Sequence, residues 1–309
     1  MKIALTGSSG GVGRAIITEA RKQGHDLVCI DRVAAPETEE TRDLHFIQAD
    51  MDEYEKLVAA FAGCDALIHM AAIPSPGRHP DHVVHNNNVV GSYNALQAAV
   101  ENGIMRICQA SSVNAIGHSY SRDPHYDYLP IDEEHANYSE EPYSLSKWIC
   151  EAQADAFARR WENISIASMR FHWVVPEREL AARNFTPDSP SPKKHLFAYT
   201  RFDAAARACL LSLEGKFKGH EAFYIVAPDT TLDTPSLEAA AKYFPGIPRS
   251  QGVLQLVQGR AHPRLEARPT VRGTGQLTGG INTRVVISPG RPPTGCHPCE
   301  SRDPTRRPR

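Results

Sequence analysis

Thr6-Gly7-Ser8-Ser9-Gly10-Gly11-Val12-Gly13 decides the fold of this 309-residue chain. The run follows the apolar, strand-like Ile3-Ala4-Leu5 and opens a helical pattern from Val12 through Ala20. Strand, tight turn and helix in that order put Gly7, Gly10 and Gly13 where a Cβ would keep the backbone away from a pyrophosphate. The phosphate charge then sits at the positive end of the helix. The next strand, Leu27-Val28-Cys29-Ile30, ends in Asp31, 18 residues beyond Gly13, where a carboxylate accepts hydrogen bonds from the adenosine ribose. An acid there repels a 2′-phosphate, so NAD is expected over NADP, although Arg32 beside it could tolerate a phosphate. A third strand over 45–49 ends in Asp50-Met51, and a fourth over 66–70 runs into Ala71-Ala72. Both ends are expected along the cofactor's edge.

Working outward, strand-like runs alternate with helical patterns near 12–24, 53–62, 81–102, 142–161 and 202–214. That alternation predicts an α/β, doubly wound parallel sheet covered on both faces, with ligands beyond the carboxyl ends of its strands. With 41% hydrophobic residues and a net charge of −2, the chain has enough apolar material for one large core, and no run of about 18 apolar residues suggests a membrane span. The first strand begins at residue 2, which argues against a secretory signal, and Cys29, Cys64, Cys108, Cys150 and Cys209 fall singly in apolar elements, as thiols do in a reducing compartment. A cytoplasmic protein without a metal site is expected. Cys296 and Cys299 form a CxxC that lacks the second pair zinc would need.

Tyr143 and Lys147 stand four apart on a predicted helix and so share one face. An ammonium near a phenol favours the phenolate and lowers its pKa toward operating pH, which would make Tyr143 a base. His69, ending an apolar strand, reads as a packed core residue. Asp132-Glu133-Glu134, following Pro130, reads as a solvated face.

On these residues the chain resembles the extended short-chain dehydrogenase/reductases, also called the NAD-dependent epimerase/dehydratase family, over roughly residues 2–248. The resemblance rests on the glycine turn, Asp31, Asp50, His69-Met70-Ala71-Ala72, Asn88 through Asn94, Ser111-Ser112 and the YxxxK of Tyr143 and Lys147. It implies a Rossmann-type domain over 1–170 and a small, interleaved substrate lobe over 171–252. The implied catalytic set is Ser112, Tyr143 and Lys147. Ser112 is preferred to Ser111 because the family's functional serine lies five residues before the loop glycine, here Gly117. NAD would lie against Gly7, Gly10, Gly11, Val12, Gly13, Asp31, Arg32, Asp50, Met51, Ala71, Ala72, Asn88, Tyr143 and Lys147. A sugar-type small molecule would meet Ser75, Ser112, Asn114 and His172. The family also commonly forms homodimers, here through the helices of Asn88 to Asn102 and Tyr143 to Trp161, whose Ala95, Ala98, Ala99, Ala152 and Ala156 suit close contact.

Within the family, dehydratases carry an Asp-Glu pair where this chain has Val113-Asn114, which disfavours loss of water. The order of Ser111-Ser112, Ile116-Gly117, Tyr143 through Lys147 and Arg170 is most similar to the compact uronate dehydrogenases, although His172 and Trp173 stand where those enzymes carry small residues. An NAD-dependent oxidoreductase acting on a sugar or sugar-acid alcohol is therefore expected. A nucleotide-sugar epimerase using the same three residues is the alternative, and a protein that binds NAD with little turnover is a third.

From Val253 onward the chain has ten arginines, no lysine and no helical or alternating period. Without aromatic residues for stacking or a basic stripe on a regular element, nucleic-acid binding is not expected, and 253–309 reads as a disordered tail. The abrupt change also suggests a shift of reading frame. One permitted set of codons for Val253 through Pro269, read from the second nucleotide, gives Ser-Phe-Ser-Leu-Ser-Lys-Ala-Glu-Arg-Thr-Leu-Gly-Trp-Lys-His-Asp, which resembles the family's late Ser-x-Lys-Ala helix and its Leu-Gly-Trp end. Sequencing the transcript across Gly252 is expected to show a gained or lost nucleotide; an intact frame would refute this reading.

Overall fold

A computed structural model of the chain describes residues 1–34, 38, 41–187 and 194–249. The predicted tail and its CxxC lie outside them. Strands β1 (Lys2–Thr6), β2 (Asp26–Asp31), β3 (His45–Gln48), β4 (Ala66–His69), β5 (Arg106–Ser112), β6 (Ser165–Phe171) and β9 (Gly219–Ile225) form one sheet in the order β3-β2-β1-β4-β5-β6-β9. Every pairing in it is parallel. The strands are apolar on both sides because both faces are covered. Ile3, Leu5, Leu27, Cys29, Ala167 and Met169 pack under α1 (Gly11–Lys22) and α6 (Phe202–Glu214). Ala4, Val28, Ile30, Leu67, Ile107 and Ile166 pack under α2 (Tyr54–Ala60), α3 (Asp81–Glu101) and α4 (Pro142–Arg160). Reversal of the strand order between β1 and β4 opens the crevice that the doubly wound architecture uses for ligands.

Two features fix α4. Its start is set by Pro142 at the first position and by Glu141, whose carboxylate accepts hydrogen bonds from Tyr143 N–H and Ser144 N–H, both at 2.7 Å. Its middle is held by a buried ion pair: Arg170 Nε and Nη2 of β6 donate to Glu151 Oε1 and Oε2 at 3.0 and 2.8 Å. Ser111 Oγ of β5 donates to the same carboxylate at 2.5 Å. Burial by itself would raise the Glu151 pKa, but the guanidinium and the Ser111 hydroxyl overcome it and hold the carboxyl below its ordinary value.

After β6 the chain builds short elements: β7 (Val174–Val175) pairs with β8 (Thr200–Arg201), α5 (Arg178–Asn184) follows β7, and α7 (Ser236–Tyr243) closes the described chain. Around them lie two satellite clusters, one of Tyr126, Leu129, Phe197, Tyr224 and Phe244, the other of Val175, Ala181, Phe185 and Tyr199. Two-residue strands carry no readable period, which is why this region looked like loops in the sequence.

Two expectations need correction. Glu133 is not part of a solvated face: its carboxylate accepts Tyr224 N–H at 2.9 Å, and burial pushes its pKa up to about 7. Its carbonyl also accepts a 3.3 Å bond from Arg170 Nη1. Ala95, Ala98 and Ala99 are fully buried against the sheet, so of the five alanines assigned to a helix contact between copies only Ala152 and Ala156 are exposed. His69 is a packed residue as expected, its Nδ1 2.7 Å from Thr6 Oγ1.

Removing one partner of a buried pair leaves the other charge uncompensated, which typically costs about 3–5 kcal/mol. Glu151→Ala is expected to lose stability on that scale in a urea titration. Because the folded-state pKa is depressed, the stabilisation from Glu151 exists above about pH 4.3, the unfolded value, and disappears as pH falls through the folded one. An unchanged midpoint would remove this pair from the account.

Candidate active site

The glycine turn leaves no room for side chains. Gly7 has φ +70°, and a Cβ there would lie 2.6 Å from Ala71 N; one on Gly13 would lie 2.2 Å from the Gly7 carbonyl oxygen. The turn is therefore closed against β4, and among the described residues no side chain caps the first turn of α1. That N-terminus opens into a groove of about 620 Å³ lined by Gly7, Gly10, Gly11, Val12, Gly13, Asp31, Arg32, Asp50, Met51, Ala71 and Ala72. Asp31 is oriented by the turn itself, accepting Ser9 N–H on Oδ2 at 3.0 Å and Val33 N–H on Oδ1 at 3.2 Å. Open helix-end donors, a side-chain-free cradle and a carboxylate at the far end suit a dinucleotide.

Asn88 does not line this groove; its neighbour Asn87 does. The Asn88 amide accepts from Ile73 N–H at 2.8 Å and donates to the Ile73 carbonyl and Ser146 Oγ, each at 3.1 Å. It braces the loop after β4 against α4.

Gly11, Val12, Met70, Ala72 and Pro74 are shared with a second cavity of about 610 Å³, where Ser112, Tyr143 and Lys147 converge. Ser112 ends β5 and caps a 3₁₀ turn over Val113–Ile116, accepting Asn114 N–H at 3.1 Å. Its hydroxyl and the Tyr143 phenol line the same cavity. Ser111 is engaged with Glu151 instead. Asn114 lines the cavity, with its Oδ1 taking Ser119 Oγ at 2.7 Å. Ser75 is not among the lining residues; the chain meets the cavity at Pro74.

The expected effect of Lys147 on the phenol is not what the geometry gives. Burial dominates and pushes the Tyr143 pKa well up, and the Ser112 hydroxyl opposes it only in part. The Lys147 ammonium donates to the Ala110 carbonyl at 2.8 Å and stands 6.0 Å from the centre of the Tyr143 ring. Burial lowers the Lys147 pKa as well. Desolvation of a phenolate outweighs a cation at that distance.

Several lining residues other than Trp173 had no signal in the sequence. Tyr120 packs edge-on to Tyr143 with ring centres 5.6 Å apart, and Trp173, Asn184, Phe185 and His195 line the wall supplied by the small lobe. His195 is presented by backbone that turns through left-handed values at Leu196 and Phe197, φ 50° and 54°, a conformation such residues rarely adopt. His172 lines the cavity and lies edge-on to the buried His118, ring centres 5.5 Å apart. Burial lowers the pKa of His172 to about 3 and of His195 to about 4, so both imidazoles are neutral at physiological pH.

Residues 3–191 match the NAD dependent epimerase/dehydratase family. The chain belongs to that family. NAD is accordingly its cofactor, and the cradle described above fits it. The chain is 30% identical to L-arabinose 1-dehydrogenase (NAD(P)(+)) of Haloferax volcanii over 186 residues, 58% of this chain and 69% of the relative. It is 28% identical to a putative UDP-glucose 4-epimerase of Methanocaldococcus jannaschii over 183 residues, 57% of each, so the match spans less than two thirds of that relative. Among solved structures it shares its fold with a mutated uronate dehydrogenase, TM-score 0.58 at 21% identity, covering 81% of this chain and 82% of that one. No helix among the described residues is long and apolar enough to cross a membrane, and no group of residues there could hold a metal ion.

Proposed function

We propose that the protein is an NAD-dependent oxidoreductase that interconverts a sugar alcohol group and its carbonyl. The observation that carries this reading is the meeting of Ser112, Tyr143 and Lys147 in one cavity that adjoins the glycine-turn groove and shares Gly11, Val12, Met70, Ala72 and Pro74 with it. Bound NAD would supply hydride acceptance and donation. The chain's own residues handle the proton and the orientation. Ser112 and Tyr143, lining the same cavity, offer two groups to one substrate oxygen, and holding that oxygen in place is where orientation lowers the barrier. Lys147, fixed by the Ala110 carbonyl, would hold the nicotinamide ribose.

Because burial keeps Tyr143 protonated, it is a ready acid for carbonyl reduction, whereas alcohol oxidation requires the phenol proton to leave first. Oxidation is therefore favoured by alkaline pH. No carboxylate lines the cavity among the described residues, which agrees with the expectation against dehydration. An epimerase would use the same residues, and the methanogen relative supports that second reading. Net reduction of NAD by substrate separates the two. The five described cysteines are free and buried, which supports a cytoplasmic setting.

We also propose that two copies pair through the outer faces of α3 and α4. Val90 and Tyr93 on α3, and Leu145 and Trp148 on α4, leave a third to a half of their surface exposed, and Ala152 and Ala156 continue the same face of α4. Light scattering at micromolar concentration is expected to give twice the chain mass, falling to the single mass in Trp148→Glu; a wild-type monomer would rule the pairing out. Tyr143→Phe is expected to cut turnover by about 10²- to 10⁴-fold while NAD affinity by calorimetry stays near that of the wild type. Near-normal turnover would remove Tyr143 from the proton-transfer role.

A further inference from the structure

The lining of the catalytic cavity has a consistent chemical character. Asn184 offers an amide, His195 a neutral imidazole, and Ser119 the lone pairs of a hydroxyl whose hydrogen is given to Asn114 Oδ1. The amide and the imidazole both donate and accept, as a sugar hydroxyl does. A carboxylate only accepts, so half of the capacity of each group would face it as a lone pair.

Charge points the same way. The cation of the described lining is Lys147, whose ammonium is committed to the Ala110 carbonyl. Lys194, next to His195, is turned elsewhere, donating to the Ser121 and Arg122 carbonyls at 2.6 and 3.1 Å. Neither nitrogen of His172 or of His118 finds a hydrogen-bond partner among the described residues, and the two rings lie against each other. Protonating one to meet an anion would bring a charge into a buried pair, where burial and mutual repulsion oppose it. A sugar acid or a diphosphate placed here would lose its hydration without a cation in return among the described residues.

Trp173 completes the wall. It is 39% exposed although it lines a cavity, and it is held by an edge contact to Phe185 at 5.1 Å, which in turn stacks on His195 at 4.5 Å. A propped aromatic with an open surface suits the C–H face of a pyranose or furanose ring, whose rim of hydroxyls then meets the neutral polar groups.

We infer that the substrate is an uncharged monosaccharide, seated by its apolar face on Trp173 and by its hydroxyls on Ser119, Asn184 and His195, with sugar acids and nucleotide sugars discriminated against. This rests on the oxidoreductase reading above and narrows its substrate class.

The test uses the full chain loaded with NAD and a panel of neutral aldopentoses and aldohexoses, the matching uronates and UDP-sugars. Two measurements are made: absorbance of reduced nicotinamide, and tryptophan fluorescence as a binding signal independent of turnover. A kcat/KM for the best neutral aldose at least about 10²-fold above the best uronate is expected, with fluorescence quenching by the aldose that disappears in Trp173→Phe. Asn184→Arg, at the exposed end of α5, is expected to shift the ratio toward uronates by about 10-fold. Preferred turnover or tighter binding of a uronate or UDP-sugar would overturn the inference and leave the oxidoreductase reading standing. An unchanged ratio in Asn184→Arg, or aldose quenching that persists in Trp173→Phe, would also overturn it. Trp173-dependent binding of neutral aldose without reduction of NAD would support the inference while refuting the oxidoreductase reading.

Discussion

The ion pair between Glu151 and Arg170 is the constraint from which the site is built. Tyr143, Lys147 and Glu151 recur every four residues, so they lie one above another on the buried face of α4. Glu151 is clamped in the middle of the helix by Arg170 of β6 and Ser111 of β5. The Glu141 cap fixes its start. A helix pinned at its start and its middle cannot slide or turn against the sheet, and this sets the depth at which Tyr143 meets Ser112, the residue next to the one in the clamp. A lone buried carboxylate or guanidinium would be costly; paired bidentately and supplied with a hydroxyl, the two exchange that cost for a fixed register.

Much of this could be read from the sequence, for physical reasons. A turn that needs residues without a Cβ leaves glycines at fixed spacing, and the parallel sheet leaves apolar runs buried on both faces. Ser112, Tyr143 and Lys147 were legible because they belong to motifs of short range. The clamp was not, because Glu151 and Arg170 are 19 residues apart and each looks like an ordinary surface charge until the helix and strand are packed. Glu133 misled in the same way: a run of three acids after a proline reads as solvated, yet the strand ladder at Tyr224 needs its middle member.

The substrate wall was the least legible part. His172 was singled out from its place after β6, but Tyr120, Asn184 and His195 come from separate segments with no periodic signal, joined only when β7 pairs with β8 and α5 folds beside them. The protonation of Tyr143 was misjudged because spacing gives the proximity of Lys147 but not the depth of burial. Desolvation is a property of the packed site, and here it outweighs the neighbouring ammonium. The same desolvation keeps His172 and His195 neutral, so one physical cause sets both the acid character of the tyrosine and the uncharged character of the wall facing it.

The central claim is that this chain passes hydride between a sugar and NAD with net turnover. Incubating the protein with NAD and a uniformly deuterated aldose, then weighing the recovered cofactor by mass spectrometry, tests it most directly. The account predicts that reduced cofactor accumulates with one deuterium in place of a hydrogen, in step with sugar consumed. Cofactor that stays oxidised and unlabelled, while the deuterated sugar is recovered either unchanged or epimerised, would contradict it.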